Sequence, residues 1–234
     1  METLDVAIAG TRNMLRLSES SNARFIFFSS SEIYGDPETK NVPTSENYRG
    51  NVSCQGPRAC YDESKRVGET ITYIFHTQNG IKTNVIRPFN IFGPGMQEDD
   101  YRVLPNFASK IKSGLPLQIY GTGLQTRTFC YITDALFGFF MVVLKGIPGE
   151  TYNIGNSKPE VSMIELAGIL ERIASKKLTY HLIDYPDSYP QDEPMRRSPE
   201  IRKARLQLGF KPTVNLEDGL SKFLAWSKEV YTGS

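Results

Sequence analysis

Within residues 24–90 a strand, a helix and a second strand follow one another so closely that few folds remain open to the chain. Arg24-Phe25-Ile26-Phe27-Phe28 is a continuous apolar run of strand length, the pattern of a parallel strand covered on both faces. Residues 58–80 have a helical period, with Cys60, Val67, Ile71, Ile74 and Phe75 on one apolar stripe and Tyr61, Lys65, Gly68 and Thr72 on a small, polar flank beside it. Such a helix can pack by its stripe and leave the flank open. Lys82-Thr83-Asn84-Val85-Ile86 then reads as the next strand. A strand, helix and strand in this order form a crossover unit. Its polar tips, Ser29-Ser30-Ser31-Glu32 and Arg87-Pro88-Phe89-Asn90, therefore share the carboxyl edge, where open α/β sheets take ligands.

The alternation continues through the chain. Residues 2–20 read as an amphipathic helix with Leu4, Ile8, Met14, Leu15 and Leu17 on one side. Helices near 102–113, 133–145, 161–174, 199–207 and 216–230 are interleaved with strands near 115–120, 127–131, 151–155 and 178–183, which implies an α/β architecture with a parallel sheet. At 234 residues and 39% hydrophobic content the chain can bury a substantial core. A net charge of +1, with lysines and arginines scattered among acids, gives no reason to expect nucleic acid or a membrane as partner. There is no apolar run of membrane-spanning length and no basic-then-apolar leader. The three cysteines, Cys54, Cys60 and Cys130, do not make a disulfide framework, and a cytoplasmic protein is expected. No metal site is expected either, because His76 and His181 lie far apart and no cysteine pair has ligand spacing. Residues 185–194 form a proline-rich acidic stretch before Arg196-Arg197, either a surface connection or a loop that delivers an arginine over a ligand.

Chemistry is concentrated in Tyr61-Asp62-Glu63-Ser64-Lys65. Four residues apart on a helix, Tyr61 and Lys65 share a face, and a neighbouring ammonium favours phenolate, which makes a tyrosine usable as a base. The longer strings around this pair resemble a known family. Ser29-Ser30-Ser31-Glu32-Ile33-Tyr34-Gly35, the Tyr61 and Lys65 pair, and Arg87-Pro88-Phe89-Asn90-Ile91-Phe92-Gly93-Pro94 resemble the extended short-chain dehydrogenase/reductase family in its nucleotide-sugar branch, over essentially the whole chain. Within that branch, Gly56-Pro57-Arg58-Ala59-Cys60-Tyr61-Asp62-Glu63-Ser64-Lys65-Arg66 and Gly121-Thr122-Gly123-Leu124-Gln125-Thr126-Arg127 are similar to the UDP-glucuronate decarboxylases, or UDP-xylose synthases.

The resemblance implies a partial Rossmann-like doubly wound parallel sheet over residues 1–92. A smaller, mainly sugar-nucleotide-binding domain follows over 93–234, with elements near 128–156 returning to the sheet. It implies NAD as cofactor, a UDP-sugar as substrate, and a homodimer formed through the helices at 2–20 and 58–80. Family members open with a strand, a glycine-rich turn and a helix that bind the adenosine and pyrophosphate of NAD. That opening does not occur in this sequence, whose Gly121-Thr122-Gly123 lacks the third glycine and reads as a substrate-side turn. Since the glycine turn and helix supply the amides for the pyrophosphate, tight NAD binding by this chain alone is not expected. A partner chain that completes the cofactor half, or a non-catalytic sugar-nucleotide binding module, stands beside the enzyme as an alternative.

By the same resemblance Tyr61 is the catalytic base and Lys65 its activating cation, which also holds the nicotinamide ribose. Pro88 joins them on the cofactor side. Ser30 stands where the family hydrogen-bonds the sugar 4-hydroxyl. Ser31 and Glu32 discriminate between reactions, because 4,6-dehydratases carry Asp-Glu here to expel water whereas decarboxylases carry Ser-Glu. Arg197 falls where decarboxylases place an arginine on the substrate carboxylate, a planar fork matched to two oxygens. Arg127 and Asn90 match residues that seat the nucleotide, and Arg102 and Tyr120 are further pocket candidates. Two departures bear on the sugar: Gly95 stands where decarboxylases have an arginine, as in many epimerases, and Ser30 where they usually have threonine. The expected reaction is UDP-glucuronate decarboxylation through a 4-ketone, with a 4-epimerase or dehydratase-like enzyme as the rival.

Overall fold

A computed structural model describes residues 1–185 and 194–233. Its first helix changes geometry twice, from α1 (Glu2–Asp5) through a π-helical turn at Val6–Gly10 to α2 (Thr11–Ser20). The π turn shifts the register of the helix beyond it, which splits the expected stripe: Leu15 is buried and Leu4 and Ile8 half-buried, but Met14 and Leu17 are exposed. The crossover unit consists of β1 (Phe25–Phe28), α3 (Ala59–Asn79) and β2 (Thr83–Pro88). The two strands pair in parallel, Phe25 opposite Thr83 through Phe28 opposite Ile86.

After β2 come β3 (Ile91–Phe92), α4 (Val103–Ser113), β4 (Leu117–Tyr120), β5 (Thr126–Arg127) and β6 (Cys130–Tyr131). The single strand expected over 127–131 is thus two short ones that part into different sheets, β6 pairing with β3. Next are α5 (Ile132–Lys145), β7 (Thr151–Ile154), β8 (Val161–Ser162) and α6 (Met163–Ala174). Residues 161–162 are therefore strand rather than helix. The Ser162 side chain and Glu165 exchange hydrogen bonds with each other's backbone amides, a capping box that starts α6. The chain closes with β9 (Tyr180–Ile183), β10 (Arg196–Arg197), α7 (Arg202–Leu208) and α8 (Leu216–Val230). α7 begins later than expected because Pro199 is held extended in a bridge to Thr44.

The principal sheet has the order β1-β2-β7, all parallel, and β5 lies between β10 and β8 in a second sheet. β4 and β9 pair in parallel separately. Parallel strands with helices between them define an α/β fold. The largest core cluster lies beyond the principal sheet and is built around Phe92, Phe107, Leu117, Leu166, Leu220 and Phe223. A second cluster, with Ile86, Tyr152, Ile154, Leu208 and Phe210, seats α5 and α7 on the sheet.

α3 meets β1 by a different face from the one the apolar stripe suggested. Ser64, Gly68 and Thr72 are buried, while Val67 and Ile71 are half-buried and Ile74 is exposed. A Cβ on Gly68 would lie 2.2 Å from the Phe27 ring, so small residues set how closely the helix approaches. The two strand tips are then tied together by a buried polar network. Arg87 forks onto Glu69 with donor–acceptor distances of 2.8 and 2.6 Å and donates to the Tyr34 hydroxyl at 2.6 Å, which itself donates to Asn153 at 2.8 Å. Burial pushes the Tyr34 phenol up to about 12, so it stays a donor at any physiological pH. Arg24 at the start of β1 donates to the carbonyls of Val143 and Gly146 at the end of α5, where a cation complements the helix dipole.

Candidate active site

The strand tips open into a cleft of about 650 Å³ between the principal sheet and the α4, β4 and β5 region. Ser29, Ser30, Ser31 and Glu32 enter it from the end of β1, Tyr61 from α3, and Pro88 and Asn90 from the end of β2. Arg102, Tyr120, Arg127 and Arg197 enter it from the opposite side. Of the residues given a catalytic or binding role in the sequence, Lys65 alone is not on the cleft wall. Its ammonium donates to the Phe28 carbonyl at 3.0 Å and sits 5.7 Å from the centroid of the Tyr61 ring. Burial lowers the Lys65 pKa. Tyr61 is 44% exposed, with its ring open to incoming ligand. The Ser30 hydroxyl accepts from the Glu32 amide at 3.2 Å, so this serine caps a short 3-10 turn at Ser31–Tyr34 while it lines the cleft.

Across from Tyr61 lies a cluster of four charges. Arg197 forks onto Glu32, Nη1 to Oε1 at 2.6 Å and Nη2 to Oε2 at 2.8 Å. Arg58, at the start of α3, also ion-pairs with Glu32, and its Nε is 3.6 Å from Asp62 one turn on. Asp62 is 5% exposed, and among the described residues its Oδ1 has no hydrogen-bond partner. Burial raises the Asp62 pKa against the opposing pull of Arg58 and Arg197. Sequence reasoning picked Glu32 and Arg197 but passed over Arg58 and Asp62. Their signal was their position three residues before and one after Tyr61, on the turn of α3 that faces the cleft.

The rest of the cleft wall carries two more arginines, an asparagine and aromatic rings. Arg127 is buried in β5, with Nη1 donating to the Thr126 carbonyl at 2.8 Å. Asn90 adopts a φ of +42° and donates to the Thr128 carbonyl at 2.8 Å, which binds the end of β2 to the loop after β5. Arg102 stands just before α4, and its side chain pairs with Asp100, Nε to Oδ2 at 2.8 Å. Tyr120 stacks on Tyr185 with centroids 5.3 Å apart, and Gln125 donates to the Tyr185 hydroxyl at 3.4 Å. Tyr185 and Gln125 also escaped the sequence reading. Residues 186–193 of the proline-rich acidic stretch lie outside the described residues.

A phenol, a lysine one turn along the same helix and a strand-end serine at the carboxyl edge of a parallel sheet define the short-chain dehydrogenase/reductase type of site. Residues 1–155 match the model of the NAD dependent epimerase/dehydratase family, and the chain belongs to that family. It is 40% identical over 229 residues to UDP-glucuronic acid decarboxylase 1 of Xenopus tropicalis, covering 98% of this chain and 52% of that protein. It is 39% identical over 220 residues to UDP-glucuronic acid decarboxylase 5 of Arabidopsis thaliana, covering 94% and 62%. Among solved structures it resembles a mutant UDP-glucuronic acid 4-epimerase from Bacillus cereus in complex with UDP-4-deoxy-4-fluoro-glucuronic acid and NAD. That likeness has a TM-score of 0.84 and 28% identity, covering 96% of this chain and 68% of the other. The dTDP-glucose 4,6-dehydratase DesIV from Streptomyces venezuelae, at 24% identity, shares the fold with a TM-score of 0.84 over 97% of this chain and 67% of the other. The chain spans about half the length of the Xenopus relative.

NAD is the cofactor expected for this family, and several of the solved relatives hold it. The residues present fit its nicotinamide end. Among the described residues the buried Ser29 hydroxyl has no hydrogen-bond partner, and Tyr61 and Pro88 line the same cleft, with the Lys65 ammonium on the Phe28 carbonyl beside it.

Proposed function

We propose that this chain carries the sugar-nucleotide side of an NAD-dependent UDP-glucuronate decarboxylase. The observation that carries the reading is the Arg197 fork, held by a carboxylate inside the cleft that also contains Tyr61 and Ser30. A guanidinium geared to two carboxylate oxygens is matched to a uronate, whereas a neutral hexose presents no carboxylate to exchange for Glu32. Arg127 and Asn90 seat the pyrophosphate, and Tyr120 with Tyr185 offers a flat surface for the base.

In this reading the Tyr61 phenol oxygen takes the proton of the sugar 4-hydroxyl, which the Ser30 hydroxyl orients. Lys65 stabilises the phenolate through its nearby ammonium. NAD, when bound, would accept the hydride from C4 and, once carbon dioxide has left, return it there to give the pentose. With a ketone at C4 the C5 carboxylate is a β-keto acid. The bond from C5 to the carboxylate breaks, its electron pair passes into the enolate, carbon dioxide leaves and a proton returns to C5. Ser31, in place of an aspartate, leaves no acid to expel a hydroxyl, which disfavours dehydration.

One observation favours a second reading. Gly95, with a φ of +96° and open space around it, stands where the decarboxylases have an arginine, so a UDP-glucuronate 4-epimerase is the alternative. The purified chain incubated with NAD and UDP-glucuronate separates the two. Release of carbon dioxide with formation of the UDP-pentose, abolished by Tyr61→Phe, supports the decarboxylase; a C4 epimer without carbon dioxide supports the alternative. Absence of turnover with sugar nucleotide still bound would instead support a binding module or a subunit whose cofactor half another chain provides.

For assembly we infer a homodimer through the outward faces of the N-terminal helix and α3, where Val6, Met14, Leu17, Tyr73 and Ile74 are exposed. The three free cysteines suit a reducing, cytoplasmic setting. Among the described residues no helix is long and apolar enough to cross a membrane.

A further inference from the structure

The charged cluster in the cleft raises a difficulty that the proposed function has to meet. Arg197, the residue assigned to the substrate carboxylate, already spends both of its terminal nitrogens on Glu32. Glu32, Asp62, Arg58 and Arg197 balance as two carboxylates and two guanidiniums, all with side chains less than a fifth exposed. A third carboxylate brought in by a uronate would meet a cluster with no net positive charge and an arginine whose fork is filled. Displacing Glu32 into the cleft without a partner would leave a buried unpaired charge, one of the costlier events in a protein.

Arg58 removes the difficulty. It ion-pairs with Glu32 in the same arrangement, through Oε2, the oxygen that also accepts from Arg197 Nη2, and is itself backed by Asp62. A guanidinium has five donors, so Arg58 can hold Glu32 and Asp62 at once. We propose that Arg58 is a positioning residue that retains Glu32 when Arg197 turns to the substrate carboxylate, and so sets the preference of the site for carboxylated over neutral sugar nucleotides. The proposal rests on the reading of Arg197 as the carboxylate partner. Asp62 takes part by bracing Arg58, which accounts for a carboxylate kept almost wholly buried with one oxygen unpaired.

Calorimetric titration of the purified chain with UDP-glucuronate, UDP-glucose and UDP tests this without requiring turnover. Wild type is expected to bind UDP-glucuronate more tightly than UDP-glucose. Arg58→Gln should lower the affinity for UDP-glucuronate about tenfold or more, leaving UDP-glucose and UDP within about twofold, since removing one partner of a buried charge pair acts on the ligand that competes for the other. Arg58→Lys, which keeps the charge and loses the fork, should recover part of the loss. The decisive arm is Glu32→Gln combined with Arg58→Gln. With no glutamate to retain, Arg58 becomes dispensable, and the double variant should bind UDP-glucuronate as Glu32→Gln alone does; a purely structural role would add its full loss in both backgrounds. Equal weakening of all three ligands by Arg58→Gln, an unchanged preference, or additive losses in the double variant would overturn the proposal while leaving the Arg197 reading intact. Wild type binding UDP-glucuronate no better than UDP-glucose would overturn that reading, and the proposal with it.

Discussion

Arg127 and Arg197 lie opposite each other on the paired strands β5 and β10 and line one cleft, yet the proposed function gives them different parts of the ligand, so they should fail in different ways. In the proposed function Arg127→Met removes charge-assisted hydrogen bonds to the pyrophosphate, so affinity for UDP itself should fall by roughly 1.5–3 kcal/mol, about ten- to hundredfold. Arg197→Met should spare UDP and weaken UDP-glucuronate selectively. Titration with both ligands checks the pair, and a loss of UDP affinity in Arg197→Met would misplace the sugar. At this scale the sequence was most informative where residue type and chemistry coincide. Tyr61, Ser30, Glu32, Asn90, Arg127 and Arg197 all line the cleft, although they come from segments far apart in the chain. Lys65 stands just behind the wall because its ammonium is drawn to the Phe28 carbonyl. Arg58 and Asp62 were harder to see: an arginine and an aspartate on a helix are usually solvated, and here Glu32, from the end of β1, and Arg197, from β10, come to the same place.

Among the elements, glycines and caps decide what the apolar pattern leaves open. Gly35, with a φ of +61°, closes the turn after the serine-rich tip, and a Cβ there would lie 1.8 Å from the Asn51 carbonyl oxygen. Backbone cannot yield as a ring end can, so Gly35→Ala should cost about 3 kcal/mol or more while Gly68→Ala costs about 1–3 kcal/mol, both read from denaturant unfolding. A second device joins the chain's last residues to the cleft. Glu98 accepts from the amides of Thr232 at 2.6 Å and Gly233 at 2.7 Å, and from the Ser109 hydroxyl at 3.0 Å, just before the loop that carries Tyr101 and Arg102. Desolvation would raise its pKa, but the hydrogen bonds, led by the Thr232 and Gly233 amides, bring it down to about 2. A depressed carboxylate stabilises the fold above its ordinary value near 4.5 and loses that contribution as pH falls through the window down to about 2. Trp226, the single tryptophan, packs edge-on against Tyr231 at 5.5 Å, so its fluorescence should report the latch loosening across this window. Glu98→Gln should remove the acid transition; a variant that keeps it would assign the transition elsewhere. The helix limits were largely legible from periodicity, whereas the division of 126–131 between two sheets was not, because two-residue strands carry no period.

For the whole molecule, the surface beside β1 matters most. Among the described residues no strand pairs with the outer edge of β1, and Phe28, Phe137, Phe140 and Leu144 are exposed nearby or along α5. An open parallel edge next to apolar side chains favours association. The purified chain should therefore form concentration-dependent species larger than a dimer in light scattering, and Phe137→Lys with Phe140→Lys should reduce them; unchanged association would place the contact elsewhere. Apolar runs, a helical period and polar strand tips determined by themselves the α/β class, the crossover and the edge at which chemistry would occur, because each is a local property of consecutive residues. Only the tertiary structure decided that α3 turns its small residues to the sheet, that Glu32 lies between two arginines, and that Arg87 serves Glu69 and Tyr34. Those outcomes depend on which charges and surfaces meet at distances of a few ångströms across segments remote in sequence, and no local pattern encodes such meetings.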